Sequence, residues 1–368
     1  MILNFDPALL AVPNHASSQD EAEEIISCLK YWARPCFFTG AFRGLLPSDT
    51  LTFLADNGFF PSPPNISKLL DSWNLRHVYS TEDVRRSINF ILSRSQSVED
   101  VIDVEVTAAE LRQSMPDISQ YQARPVLFEA TLRLLVTLAL QRLTSKPDAC
   151  GNIVISSFTR HLGIVSIQAT ANSGAVLSSV GEVHFPLSTT HSVLLADDIR
   201  DIALSVGASA LWSRALDAAG LHFAIVAEIL QIAISGGSAK TLAVPSFRVG
   251  AGFFETAQRH GAVGADAANA DLLRETCARI VMGQPKNEIG DLKRADAKGD
   301  LKPVVRTSDG AAARRTHLLK SHEALRLMFW EHKDGTVEFA NVGPKGELEI
   351  VDGSSGYVSE DDCWSHPS

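Results

Sequence analysis

The sequence predicts an α+β protein built from an N-terminal helical domain, a central mixed domain and a small β-rich C-terminal module. Three observations carry that expectation. Capped, amphipathic runs of helical length dominate the first 145 residues. Short β-branched runs split by turn residues begin after SKPDACGN, and an Asp-Gly turn joins two alternating runs, ALRLMFW and TVEFANV. On this reading residues 1–145 form the helical domain, 146–283 the mixed domain, 284–303 a linker, and 304–368 the β-rich module with an acidic tail.

Each element has its own justification. Ser18 and Glu21 form a capping box before EAEEIISCLKYWA, and Ser80 with Asp83 repeats the device before VRRSINFILS. SDTLTFLADNG stops at Asn57-Gly58, where a residue tolerant of positive φ suits a helix end. PSPPN reads as a loop because prolines withhold donors. Pro125 opens a long apolar helix reaching about Leu143. NIVISSF, LGIVSIQA, AVLSSV, EVHFPL and SVLLA then suggest a meander of four or five strands. Helical runs follow at ADDIRDIALSV, ALWSRALDAAG and LHFAIVAEILQIAI. LAVPSFRVG is a short strand, and FFETAQRHG and DAANADLLRETCARIVM are helices again. The segment 283–303 is polar and poor in apolar anchors, hence the linker. In the module, period-two alternation puts Leu325, Leu327 and Phe329 on one face and Arg326, Met328 and Trp330 on the other. LEIV is expected to add a third strand there.

Composition narrows the function classes. With 45% hydrophobic and 21% charged residues, the 368-residue chain is globular and large enough for several cores. Its net charge of −10 argues against a protein coated in nucleic acid. From Lys286 to Lys320, however, nine Lys and Arg face five Asp and Glu, so a net +4 segment sits on a body of −14. That asymmetry points to a localised anion contact. Five scattered cysteines without CxxC spacing indicate neither a zinc ribbon nor a disulfide framework and suggest a reducing, cytoplasmic setting. The N-terminus lacks a signal-peptide pattern, and the two greasiest runs fall short of the roughly 20 apolar residues that span a bilayer.

Catalytic signatures are sparse. ISGGSAKT places Ala239 where a phosphate-binding loop needs glycine and follows a helix rather than a strand, so it reads as a helix cap. Asp100, Asp103 and Glu105 lack the lysine of a metal-dependent nuclease, and Asp197, Asp198 and Asp201 suit a helix N-terminus. His317, His322, Cys363 and His366 lack the two tight pairs of a structural zinc site, so no metal and no cofactor is expected.

The stretch RRTHLLKSHEALRLMFWEHKDGTVEFANVG is different, because it gathers cations and histidines around one hairpin. Metal-free phosphodiester cleavage needs cations for the pentacovalent phosphate and an acid/base pair. The candidate catalytic residues are Arg326, His317 and His322, and the candidate nucleic-acid contacts are Arg306, Arg314, Arg315, Lys320 and Lys345. LLKSHEALRLMFWEHKDGTVEFANVG resembles the C-terminal hairpin of RelE/ParE-type toxins. Arg326 falls on that family's strand arginine, Gly343 on its terminal glycine and Lys345 near its following basic position. The sequence departs at Leu325, where the family has an aromatic residue, and at Pro344. The resemblance implies either an RNA-cleaving module or a relative that does not cleave, and modules of this kind accompany larger helical proteins in prokaryotic defence and conflict systems. The favoured reading is an interaction or assembly protein with a protein partner, whose basic module contacts RNA or DNA. The alternative is a RelE-like, metal-independent ribonuclease.

Overall fold

The computed structural model describes residues 1–14, 16–38, 42–118, 124–144, 151–157, 163–176, 183–238, 243–264, 266–295, 298–318 and 324–352. The chain is α+β. It divides into two compact units, Met1–Ser205 and a second beginning at Val206. The expected boundary at 145/146 therefore falls inside the first unit.

The first unit is organised by a sheet rather than by helices alone. Its strands are β1 (Ile2–Phe5), β2 (Arg43–Leu46), β3 (Gln96–Ser97), β4 (Val104–Met115), β5 (Ile153–Ile155), β6 (Gly163–Val176) and β7 (Leu187–Ala196). Among the described residues these seven strands form one sheet in the order β3-β2-β1-β5-β7-β6-β4. The run from β3 to β7 is parallel, while β6 pairs antiparallel with both β7 and β4. The helices are α1 (Gln19–Trp32), α2 (Thr50–Asp56), α3 (Pro63–Ser72), α4 (Thr81–Arg94), α5 (Val98–Ile102), α6 (Pro125–Leu140) and α7 (Ile199–Val206). Leu132, Leu135 and Leu138 of α6 share a core with Val154, Val165, Ile167 and Val193 of the sheet.

Several elements form as their sequences dictate. Ser18 Oγ accepts from Glu21 N at 3.2 Å and Ser80 Oγ from Asp83 N at 3.0 Å, as helix caps. Gly58 closes α2 at φ +79°. PSPPN is a correction: Ser62 caps α3 and its two prolines occupy the first helical turn, where a missing N–H costs nothing. The helical-domain expectation for 1–145 fails because this stretch also supplies β1, β2, β3 and β4; the first three are too short to show a period, whereas β4, twelve residues long, begins with a period-two burial pattern. The central meander also contracts. Strand β5 is parallel to β7, β6 and β7 form the antiparallel ribbon, and 183–186 are not strand, while 177–182, with most of AVLSSV and Glu182, lie outside the described residues.

Asp6 follows β1 and is fully buried. Its Oδ1 accepts from Ala8 N at 3.0 Å and Thr131 Oγ1 at 2.8 Å, and its Oδ2 accepts from Ser156 Oγ at 2.6 Å. One side chain thus ties β1 to α6 and to the residue after β5. Burial outweighs these donors and raises the carboxyl pKa from 3.8 to about 6.

The second unit contains α8 (Ala208–Ser213), α9 (Ala218–Ser235), α10 (Phe253–Arg259) and α11 (Ala270–Val281). Its strands are β8 (Phe247–Val249), β9 (Ile289–Asp291), β10 (Lys293–Ala295), β11 (Leu301–Pro303), β12 (Ala312–His317), β13 (Leu325–Glu331) and β14 (Val337–Pro344). A five-stranded sheet runs β8-β14-β13-β12-β9, and β10 with β11 makes a separate two-stranded ribbon. The 284–303 segment is therefore no linker, since it supplies β9 and the ribbon. Nor do residues 304–368 form a module of their own. The Leu325/Leu327/Phe329 face needs more apolar cover than that stretch holds, and β8, α10 and α11 join it from earlier in the chain. Phe339 sits 6.1, 5.7 and 6.3 Å from the rings of Phe247, Phe253 and Phe329. The opposite face is covered too, with Trp330, Ala313 and Ala340 packed on Leu292, Val304 and Ile350.

Helix α9 is the one described helix long and apolar enough to cross a bilayer, and 61% of that window is buried here. The first five residues of ISGGSAKT form its C-terminal cap, with Gly237 at φ +83° and Ser238 N donating to Ala233 O at 2.9 Å, while Ala239, Lys240 and Thr241 lie outside the described residues. On α9, His222 is buried and stacked on Phe247 at 4.2 Å. Burial lowers its pKa from 6.5 to about 4 despite a backbone hydrogen bond at Phe247.

The Asp6 site gives a pH prediction. An acid whose folded pKa is raised contributes stability below its unfolded value, and loses it as pH rises through the folded one. A rise from 3.8 to about 6 corresponds to about 3 kcal/mol. Asp6→Asn removes the charge and keeps an acceptor for Ala8 and Thr131. Its stability relative to the parent should increase from pH 4 to pH 6.5 in urea unfolding followed on unit 1. A difference independent of pH would refute a buried, reluctantly ionised Asp6.

Candidate nucleic-acid interface

The sequence-predicted cations are sorted by the sheet into matched and unmatched charges. Arg306 is only 4% exposed and is not available to a ligand. Its guanidinium donates to both Glu338 oxygens at 2.9 and 3.0 Å, to both Asp309 oxygens (Nη2 to Oδ2 at 2.6 Å), and to Asp352 O at 2.9 Å. It lies 5.0 Å from the Trp330 ring centroid. These carboxylates hold the guanidinium far more basic than usual, and Arg306 in turn holds the Asp309 carboxyl well below the ordinary range. His332 closes the cluster, 3.3 Å from Glu338 Oε2. Arg306 is thus a structural cation, and its assignment as a nucleic-acid contact is corrected.

Arg314 is also matched. It pairs with Asp291 across β9 and with Glu331 Oε2 at 2.8 Å across β13. Its neighbour Arg315 points to the other face, as alternation requires. In the register of β12 on β13, Arg315 stands opposite Met328 and His317 opposite Arg326. Arg315, His317 and Arg326 therefore share a face, with directly opposed Cβ atoms about 5 Å apart. Neither Arg315 nor Arg326 pairs with a carboxylate among the described residues. Partial burial, and then the charge of Arg315, lowers the Arg326 pKa. Among the described residues these two like charges form no ion pair with a carboxylate.

The rest of this corner is assembled by β14. Gly343 stands opposite Arg326. A Cβ at Gly343 would meet Glu347 Cγ at 2.8 Å and Cβ at 2.9 Å, so glycine is what lets the following turn fold back over the strand. Glu347 directs Oε1 to Glu349 N at 2.9 Å. Lys345 is exposed at that turn. Lys320 and His322, in the connection between β12 and β13, lie outside the described residues. Among the described residues no group of three His, Cys, Asp or Glu is placed to hold a metal.

A hollow in the first unit lies at the carboxyl ends of β1, β2 and β3, between Pro7, Pro47, Asp49, Glu99, Arg133 and Thr137, with room for about one water. Its charges are engaged internally. Arg133 pairs with Asp49 and donates to Val106 O at 2.9 Å; Glu99 accepts from Ser48 N at 2.9 Å and Ser97 Oγ at 3.0 Å. Asp100 and Asp198 belong to helix starts, Asp100 N donating to Ser97 Oγ and Asp198 Oδ1 accepting from Arg200 N at 2.8 Å. The basic corner is the better candidate site.

No protein-family model, curated protein or solved structure matches the chain.

Sequence reasoning missed the ribbon β10–β11, whose Lys293, Arg294, Lys298 and Lys302 are all exposed. Gly299, at φ +86°, was the available signal, because a glycine between two basic runs marks a hairpin turn.

The buried cluster makes a stability prediction. Removing one partner of a buried ion pair costs about 3–5 kcal/mol because the other charge is stranded. Arg306→Met should therefore destabilise unit 2 by that amount, since Glu338 is fully buried. Arg306→Met/Glu338→Met should recover most of the loss in chemical denaturation. Equal stability of Arg306→Met and the parent would show that the cluster contributes little.

Proposed function

We propose that this protein binds nucleic acid through the phosphate-facing corner formed by Arg315, Arg326 and Lys345, as an interaction protein rather than through a preassembled catalytic centre. The observation that carries the reading is the pairing of Arg315 with Arg326. Two guanidinium groups share one face of a rigid sheet with no carboxylate partner among the described residues, whereas Arg306 and Arg314 are each neutralised at short range. Like charges so placed repel, and a bound phosphodiester relieves the repulsion. Arginine suits the task because its planar fork donates to two phosphate oxygens at once. The acidic remainder of the chain confines attraction to this corner and disfavours wrapping.

A second reading has one observation in its favour. His317 lies directly across from Arg326, so a proton-transfer group and a cation stand side by side, as metal-free phosphodiester cleavage requires. This is the ribonuclease reading that the RelE/ParE resemblance implies. A protein partner and a cytoplasmic setting accompany both readings.

Binding is tested by fluorescence anisotropy with labelled single-stranded RNA and duplex DNA over a range of salt. Arg315→Glu/Arg326→Glu should weaken binding about a hundredfold at low salt and flatten the slope of log K against log salt by about two. Arg314→Gln, whose charge is already matched, should stay within about threefold of the parent. Salt-independent binding, or equal loss in both variants, would remove the basic corner from consideration. For the second reading, His317→Ala should abolish RNA cleavage while leaving affinity unchanged; if the parent cleaves nothing, only the binding reading stands.

A further inference from the structure

We propose that the β10–β11 ribbon is a second nucleic-acid contact and that it selects duplex over single strand. This rests on the binding function assigned above to the Arg315–Arg326 corner.

The ribbon has no role in a core. Every described residue of β10 and β11 is exposed, including Leu301 at 67%. Two-stranded hairpins are marginal in water by themselves, yet this one is firmly rooted. Leu292, fully buried, donates its N–H to Ala313 O at 3.0 Å and accepts from Val304 N at 2.9 Å, and Ala313 N donates to Val304 O at 2.9 Å. The base of the ribbon is thus clamped to β12 while its arms extend into solvent. A solvated arm held so rigidly at its root is suited to presenting side chains.

Those side chains divide between two faces. Pairing sets Arg294 opposite Lys302, and sets Lys293 opposite Pro303 and Ala295 opposite Leu301. One face carries Arg294 and Lys302, and Asp300 alternates onto it as well. The other is mainly apolar, with a single lysine. A two-stranded ribbon of this width fits the roughly 12 Å major groove of B-form DNA, where cations meet phosphates on the walls and small apolar groups meet thymine methyls. Single strands offer no such groove and are gripped by stacking aromatics, which the ribbon lacks.

The ribbon and the basic corner lie close together. Ala313 at the ribbon's root and Arg315 are successive residues on the same face of β12, about 7 Å apart. Arg294 reaches Leu348 O at 3.4 Å, on the segment that begins with the Lys345 turn. Arg294 therefore lies near the turn that carries Lys345. A ligand reaching from corner to ribbon crosses several phosphates, the span of a short duplex rather than of one nucleotide.

The test uses the full chain and a labelled duplex of about 20 base pairs beside its own single strands, in DNA and in RNA, with salt varied. The parent should prefer the duplex by about tenfold or more, with the salt slope of duplex binding steeper by about two. Arg294→Glu/Lys302→Glu should erase that preference while leaving single-strand affinity within about twofold, and Arg315→Glu/Arg326→Glu should weaken both ligands. Unaltered duplex affinity in the ribbon variant overturns the ribbon assignment and leaves the corner standing. Equal affinity of the parent for duplex and single strand does the same. A parent that binds none of these ligands at low salt overturns the binding function itself. Circular dichroism of the ribbon variant should match the parent, because its side chains contribute to no core.

Discussion

Glu338 sits in β14 with no exposed surface, and an isolated carboxylate in that position would be prohibitively costly. The surrounding structure meets that cost by bringing a single arginine to it from the 306–310 turn. Arg306 satisfies both oxygens of Glu338, closes the turn through Asp309, takes the carbonyl of Asp352 and stacks on Trp330. The turn, the hairpin and the chain after β14 are thereby fixed to one another. The ribbon is rooted two residues before Arg306, so its placement inherits that rigidity.

The same arginine shows why charge counts alone mislead. The Lys286–Lys320 segment carries a net +4, but the cations in it are unequal. Arg306 and Arg314 are neutralised by carboxylates from their own sheet, including Glu331 and Glu338, which lie beyond the counted segment. Arg315 keeps its charge because strand alternation turns it away from the acids that hold its neighbour. What a ligand meets is decided by pairing across strands, and a linear window of sequence does not contain that information.

Much of the fold was nevertheless legible. Caps at Ser18 and Ser80, the turn at Gly335 and the two faces of β13 were readable because each depends on neighbours within a few residues. In the first unit's sheet β1, β2 and β3 were not, because they are two to four residues long and are defined by partners distant in sequence, and the twelve-residue β4 was passed over although its first residues alternate between buried and exposed. PSPPN was misread for a local reason: proline at a helix start looks the same in sequence as proline in a loop until Ser62 is seen accepting from Asn65. In the candidate site, Arg326, His317 and Arg315 could be named from the hairpin. Their convergence on one face followed from the β12–β13 register, which no spacing in the sequence specifies.

Asp6 and His222 are both buried, one in each unit, and each is held away from its preferred charge in the opposite sense. The carboxyl is most comfortable when protonated. The imidazole must stay neutral while its unfolded counterpart gains a proton below about pH 6.5. Between pH 4 and 6, acidification therefore favours the first unit at Asp6 and penalises the second at His222. The two halves of one chain carry opposing proton ballast, and a mildly acidic medium sets them apart in durability although neither position touches a ligand.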